Sequence, residues 1–159
     1  MTRFRVTIVF VLLMLAALPF KDMLATSPSS PAYTHFVYMF GHDGFTHYVV
    51  NAWSLLVLHN LFRWYRMTVA YLVAVAISYV CPPAKPMIGA SVIVCLFIGF
   101  SSPWLWHNKR WTAVLSFALI VITCFIPGFA GVPHLVSYLT GVALCFCESY
   151  IRRIRDFIS

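Results

Sequence analysis

Charge is what this chain has least of. Asp, Glu, Lys and Arg together make up 9% of its 159 residues, and only four of them are acids, whereas a soluble domain is roughly a quarter charged. That scarcity excludes an ordinary soluble fold. The five cysteines, Cys81, Cys95, Cys124, Cys145 and Cys147, contain no CxxC spacing. They read as small hydrophobes in apolar segments, not as a disulfide framework or a zinc site. No internal repeat or low-complexity tract is visible.

What is there is hydrophobic: 62% of the residues, with a mean hydropathy of +0.87. Apolar runs at 6–20, 45–62, 67–81, 86–106, 111–127 and 133–150 are separated by charge or proline clusters. Most are near the roughly 17–25 residues that cross the hydrocarbon of a bilayer. The pattern predicts an all-α polytopic membrane protein, a single domain over 1–159 built as a bundle of six transmembrane helices, with almost nothing left for a soluble domain.

A net charge of +7 could suggest nucleic acid, but nine of the eleven Lys and Arg fall on one side of the expected helices. Arg3 and Arg5 precede the first; Arg63 and Arg66, then Lys109 and Arg110, separate later pairs; Arg152, Arg153 and Arg155 follow the last. Lys21 and Lys85 are left for the other side. This is a positive-inside distribution, so the expected partner is the lipid bilayer, no nucleic acid is implied, and both termini are cytoplasmic. The tail IRRIR reads as an orientation signal touching anionic lipid. The N-terminus has the outline of a cleavable secretory signal, TRFR then an apolar run then LATSPSSPA, but Lys21 and Asp22 directly after the run favour a retained helix.

The longest connection, Lys21 to Gly44, lies on the outer side. Within it SPSSP at 27–31 should be extended, and YTHFVYMFGHDGF at 33–45 is too aromatic for a solvated linker, which predicts a segment at the membrane interface. The other outer loops are CPPAKP at 81–86 and PGFAGVP at 127–133, where Pro and Gly mark helix ends.

Against this background a few polar residues stand out. His47 and Asn51, four residues apart, share one face of the second helix. Ser91, in GAS at 89–91, opens the fourth, and His134, after Pro133, opens the sixth. Alone, a membrane serine usually bonds its own backbone and a lone histidine at a helix start is usually an interfacial cap. However, helices two, four and six all start from the outer face, so these residues share a shallow depth, and intramembrane polar clusters are expensive and tend to be functional. A serine, a histidine to act as general base and further donors for an oxyanion suffice for acyl transfer.

Three ordered stretches resemble the motifs of the rhomboid intramembrane serine proteases. HDGFTHYVVN at 42–51 is similar to H-x4-H-x3-N, GASVIVCLFIG at 89–99 to the GxSG region with a glycine ten residues on, and HLVSYLTG at 134–141 to H-x2-G-x3-G. The resemblance covers about Tyr33 to Ser149. It implies a six-helix rhomboid-like bundle of the bacterial inner-membrane type, with Ser91 as nucleophile, His134 as general base and His47 and Asn51 stabilising the oxyanion. His42, Gly89 and Gly141 would support them. It implies no cofactor and no metal, and as substrate the transmembrane segment of a single-pass membrane protein, cut near the outer face. None of Asp22, Asp43, Glu148 and Asp156 is placed near His134 by sequence, which fits a dyad without a third acid.

Val92 stands where the motif has its second glycine, Ser137 where the sixth helix usually has glycine, and Cys95 where an aromatic is common; the first loop also lacks the family's Trp-Arg pair. Ser137 and Gly141 form a small-residue face, so Val92 is expected to pack there without holding the helices apart. Two other readings compete: a catalytically silent rhomboid-like protein that binds or chaperones membrane segments, and a haem or metal protein using His47 and His134, with His42 as a further candidate ligand.

Overall fold

The computed structural model describes residues 3–61, 63–81, 86–127 and 129–158, the side chains of Arg3 and Ile158 excepted. Phe62, Lys85 and Gly128, which enter the reading above, lie outside the described residues.

The chain is all-helical, with no strand among the described residues. Six longer helices follow one another among the described residues: α1 (Arg3–Ala17), α2 (Phe45–Val57), α3 (Trp64–Val80), α4 (Ser91–Asn108), α5 (Arg110–Thr123) and α6 (Gly131–Ile158). Two segments, Phe4–Leu24 and Gly131–Phe157, are long and apolar enough to cross a membrane; α3 and α5 are apolar but shorter.

The helix limits differ from the apolar runs for local reasons. The first run, 6–20, is helical only to Ala17 and then tightens into a 3-10 turn at Leu18–Phe20, where Pro19 removes a backbone donor. The second, 45–62, ends its α-helix at Val57 and finishes as a 3-10 turn, His59–Leu61, with His59 Nδ1 donating to the Leu56 carbonyl at 2.7 Å. The third begins at Trp64 rather than 67, because Arg66 inside it is compensated by Glu148 of α6 at 2.6 Å. The fifth, 111–127, becomes Arg110–Thr123 and unwinds before Pro127. The sixth, 133–150, begins at Gly131 and continues through the basic tail to Ile158, since Pro133 in a first turn needs no intrahelical N–H and nothing in IRRIRDF breaks a helix.

The largest correction concerns 86–106. Residues 86–90 are not helical: Met87 forms an antiparallel bridge with Thr26, through Thr26 N–H to Met87 O at 2.9 Å and Met87 N–H to Thr26 O at 2.7 Å. Gly89 then takes φ +111°, which no helix allows. Ser91 is therefore the first residue of α4, at the opening of its helix as expected, and the first five residues of the run precede the helix.

α4 runs through the middle of the molecule. Val92 to Phe97 are all buried, as expected of a helix that is apolar on every side. The other five helices turn large apolar side chains outward, among them Leu12, Trp53, Leu72, Leu119 and Phe146, each more than half exposed, and the far end of α4 does so with Trp104. The closest packing is α4 on α6, which run parallel. A Cβ on Gly99 would fall 2.0 Å from the Tyr138 carbonyl oxygen, and one on Gly141 2.0 Å from that of Leu96. Those glycines let the two backbones touch. Ser102 and Tyr138 bond across the same contact at 2.7 Å.

The aromatic segment at 33–45 does not simply lie at an interface. Tyr33 and Phe36 are exposed, but Thr34, His35, Tyr38, Met39 and His42 are buried against the helices. Most of their polar atoms are satisfied from within, His42 Nε2 being the exception: Tyr38 OH donates to the Ala74 carbonyl at 3.0 Å, and His35 Nδ1 meets Ser78 Oγ at 2.9 Å while its ring stacks on Tyr79. Buried polar groups need such partners, and alternation along the sequence cannot reveal partners so distant.

Candidate active site

Ser91 Oγ and His134 Nε2 lie 2.8 Å apart. Both belong to the first turn or so of their helices, and the parallel alignment of α4 and α6 puts those turns side by side. His134 is buried and its backbone N–H donates to Ala130 O at 3.0 Å. Because Ser91 opens α4, its own N–H has no partner within the helix, and the helix dipole there favours negative charge.

His47 and Asn51 reach this point from α2, with Gly89 between. A Cβ on Gly89 would sit 2.7 Å from His47 Cε1, 2.9 Å from His47 Nε2 and 3.7 Å from Asn51 Nδ2. Gly89 thus serves twice, by its left-handed φ and by leaving room for the imidazole. The Asp43 N–H donates to His47 Nδ1 at 3.3 Å, so the proton of the neutral ring is on Nε2, the atom facing Gly89. Asn51 Nδ2 spends one hydrogen on the His47 carbonyl at 3.0 Å and retains the other. Two side-chain donors of α2 consequently lie beside the segment leading to Ser91.

The loop before α2 holds these groups. Asp43 pairs with Lys21 at 2.9 Å, and the hydrogen bond from Lys21 holds the Asp43 carboxyl below its usual range. His42 is fully buried beside His47, ring centroids 5.1 Å apart, with Nδ1 on the Phe40 carbonyl at 3.2 Å. Burial chiefly, with His47 nearby, pushes its pKa down to about 4. The segment leading to Ser91 is fixed on both flanks, by the Thr26 bridge at Met87 and by Gly89 N–H donating to Tyr38 O at 2.9 Å.

Ser91, His134, His47, Asn51, Gly89 and His42 are thus gathered at one end of the bundle. Gly141 acts from farther away, in the α4–α6 contact. Among the described residues no carboxylate is hydrogen-bonded to or paired with His134: Asp43 is held by Lys21, Glu148 by Arg66, and Asp156 lies beside Arg155. Among the described residues no group of three or more His, Cys, Asp or Glu is arranged around a metal position, and His134 turns its Nε2 to Ser91. Sequence reasoning missed Thr26, Tyr38 and the Asp43 main chain as positioning groups. The signal for Tyr38 and Asp43 was the aromatic density of 33–45; Thr26 had none. No protein-family model and no curated protein matches the chain, so the geometry carries the functional argument.

Proposed function

We propose that the protein is a rhomboid-type intramembrane serine protease that cuts the transmembrane segment of single-pass membrane proteins near the outer face. The observation that carries this reading is the 2.8 Å hydrogen bond between Ser91 Oγ and His134 Nε2, with two further donors beside the same segment. In the proposed reaction His134 Nε2 takes the proton as Ser91 Oγ attacks the scissile carbonyl. His47 Nε2–H, Asn51 Nδ2–H and the Ser91 N–H stabilise the oxyanion, and His134 then protonates the departing amine. Water, activated by the same imidazole, releases the acyl group. Packing between α4 and α6 fixes the imidazole in place of a third acid.

The same reading makes all six helices membrane-spanning, in a bacterial-type inner membrane, with both termini on the basic, cytoplasmic side. The outward apolar faces support it, since exposed apolar patches of this extent are rare on soluble monomers. The test is labelling by an active-site serine probe and cleavage of a single-pass membrane substrate. Wild type should do both and Ser91→Ala neither; undiminished cleavage by Ser91→Ala would remove the protease reading.

A further inference from the structure

At the end of the bundle remote from Ser91, a cavity of about 220 Å³ lies between α3, α4 and α6. Its walls are apolar: Val69, Leu96, Phe97, Phe100, Leu144 and Ile151. Ile151 and Val69 are also exposed on the outside of the bundle, so the cavity opens sideways. Its mouth is charged. Arg66 clamps Glu148 through Nε at 3.0 Å and Nη2 at 2.6 Å, and Tyr65 OH adds a third bond at 3.3 Å. Arg152, one turn along α6, donates to the same carboxylate at 3.2 Å.

Two guanidinium groups thus face one carboxylate, leaving the mouth net positive. Arg66 is committed, since Nη1 also bonds the Leu61 carbonyl and its guanidinium lies 4.4 Å over the Phe100 ring. Arg152 is not: its side chain is 56% exposed, and a guanidinium has five N–H donors in a planar fork suited to phosphate. Glu148 repels an anion little, because both its oxygens are already bonded.

We propose that this cavity is a binding site for one anionic phospholipid, with a length of acyl chain between Leu144 and Phe100 and the phosphate on Arg152. The inference rests on the membrane reading and not on the protease reading. An apolar cleft with a single cationic rim fits an amphiphile; an acidic peptide would leave the apolar walls unfilled. A bound chain would touch Leu96 and Phe100 of α4, the helix that begins at Ser91.

The test is competition. Purified full-length protein in detergent is offered equal amounts of phosphatidylglycerol and phosphatidylcholine with identical chains, and the retained lipid is read by native mass spectrometry. Wild type should favour phosphatidylglycerol about fivefold, the weight of one basic side chain at an anionic headgroup, and excess inorganic phosphate should not displace it. Arg152→Gln should bring the two lipids to parity, and Leu144→Trp, which fills the cleft, should retain neither. Arg153→Gln, at an exposed neighbour that is not bonded to Glu148 as Arg152 is, should behave as wild type. Equal retention by wild type would overturn the site, as would an equal loss of preference in Arg153→Gln, which would mean general attraction to the basic tail. Ser91→Ala should bind as wild type does, so lipid preference without proteolysis would count against the protease reading alone.

Discussion

Val92 and Ser137, two positions at which the chain departs from the rhomboid motifs, are bonded to each other: Ser137 Oγ donates to the Val92 carbonyl oxygen at 2.5 Å. Both are essentially fully buried, and the Ser91–His134 hydrogen bond forms one residue away on α4 and three away on α6. Val92 therefore does not hold the helices apart. Val92→Gly leaves a void and adds a helix-interior glycine, which together should cost about 2–4 kcal/mol. Thermal unfolding in detergent should show that loss, with cleavage unchanged or weaker. A faster cleavage rate at undiminished stability would mean that the wild-type contact is strained open, and would favour a silent, substrate-binding protein.

The dyad and the donors beside it should separate by magnitude. Ser91→Ala and His134→Gln should each abolish cleavage of a membrane substrate and labelling by a serine probe, with little effect on unfolding temperature. Asn51→Ala removes one oxyanion donor and should lower kcat by about 100- to 1,000-fold. If Asn51→Ala instead abolished folding and left the activity of the folded fraction intact, Asn51 would be a structural residue.

Gly89→Ala tests the close approach behind the site. The new methyl would need an unfavourable φ and would collide with the His47 ring at 2.7 Å, so stability should fall by about 1–3 kcal/mol. Activity should fall further than the lost stability explains, because His47 is displaced. Gly44→Ala is the comparison: its φ is +90° but nothing lies within 4 Å of a Cβ there, so strain without collision should spare kcat.

His42 makes stability depend on pH. Its folded pKa of about 4 lies below the ordinary value near 6.5, chiefly through burial. The folded state therefore binds the proton less readily than the unfolded chain. Its contribution is complete above pH 6.5 and is lost as the pH falls towards 4, by at most about 3 kcal/mol. Unfolding temperatures measured from pH 7.5 to 4 should decline less for His42→Gln than for wild type; parallel curves would show that His42 is not the group responsible.

The proposed membrane orientation can be tested directly. Single-cysteine accessibility should place residues 107–110 and the C-terminal tail inside and residues 27–44 outside, as the distribution of basic residues demands. An external C-terminus would also turn the Ser91 end of the bundle to the cytoplasm.

Long apolar runs with little charge were enough to indicate an all-helical chain, because a helix satisfies its own backbone hydrogen bonds. The same holds for the pairing of His47 with Asn51, which follows from a period of 3.6 residues, and for the small-residue face of Ser137 and Gly141. Only the tertiary structure decided that residues 86–90 stay outside the helix that Ser91 opens. The run at 86–106 is uniformly apolar and nothing in it marks Met87 as a bridge to Thr26, or Gly89 as left-handed. It also decided the burial of His35 against Ser78 and the tautomer of His47, set by the Asp43 N–H. Each of these rests on a contact whose partner is remote in sequence, or on a backbone angle that neighbouring elements impose. Periodicity reports which face of a helix is apolar, and it carries no record of what that face, or the loop before it, will meet.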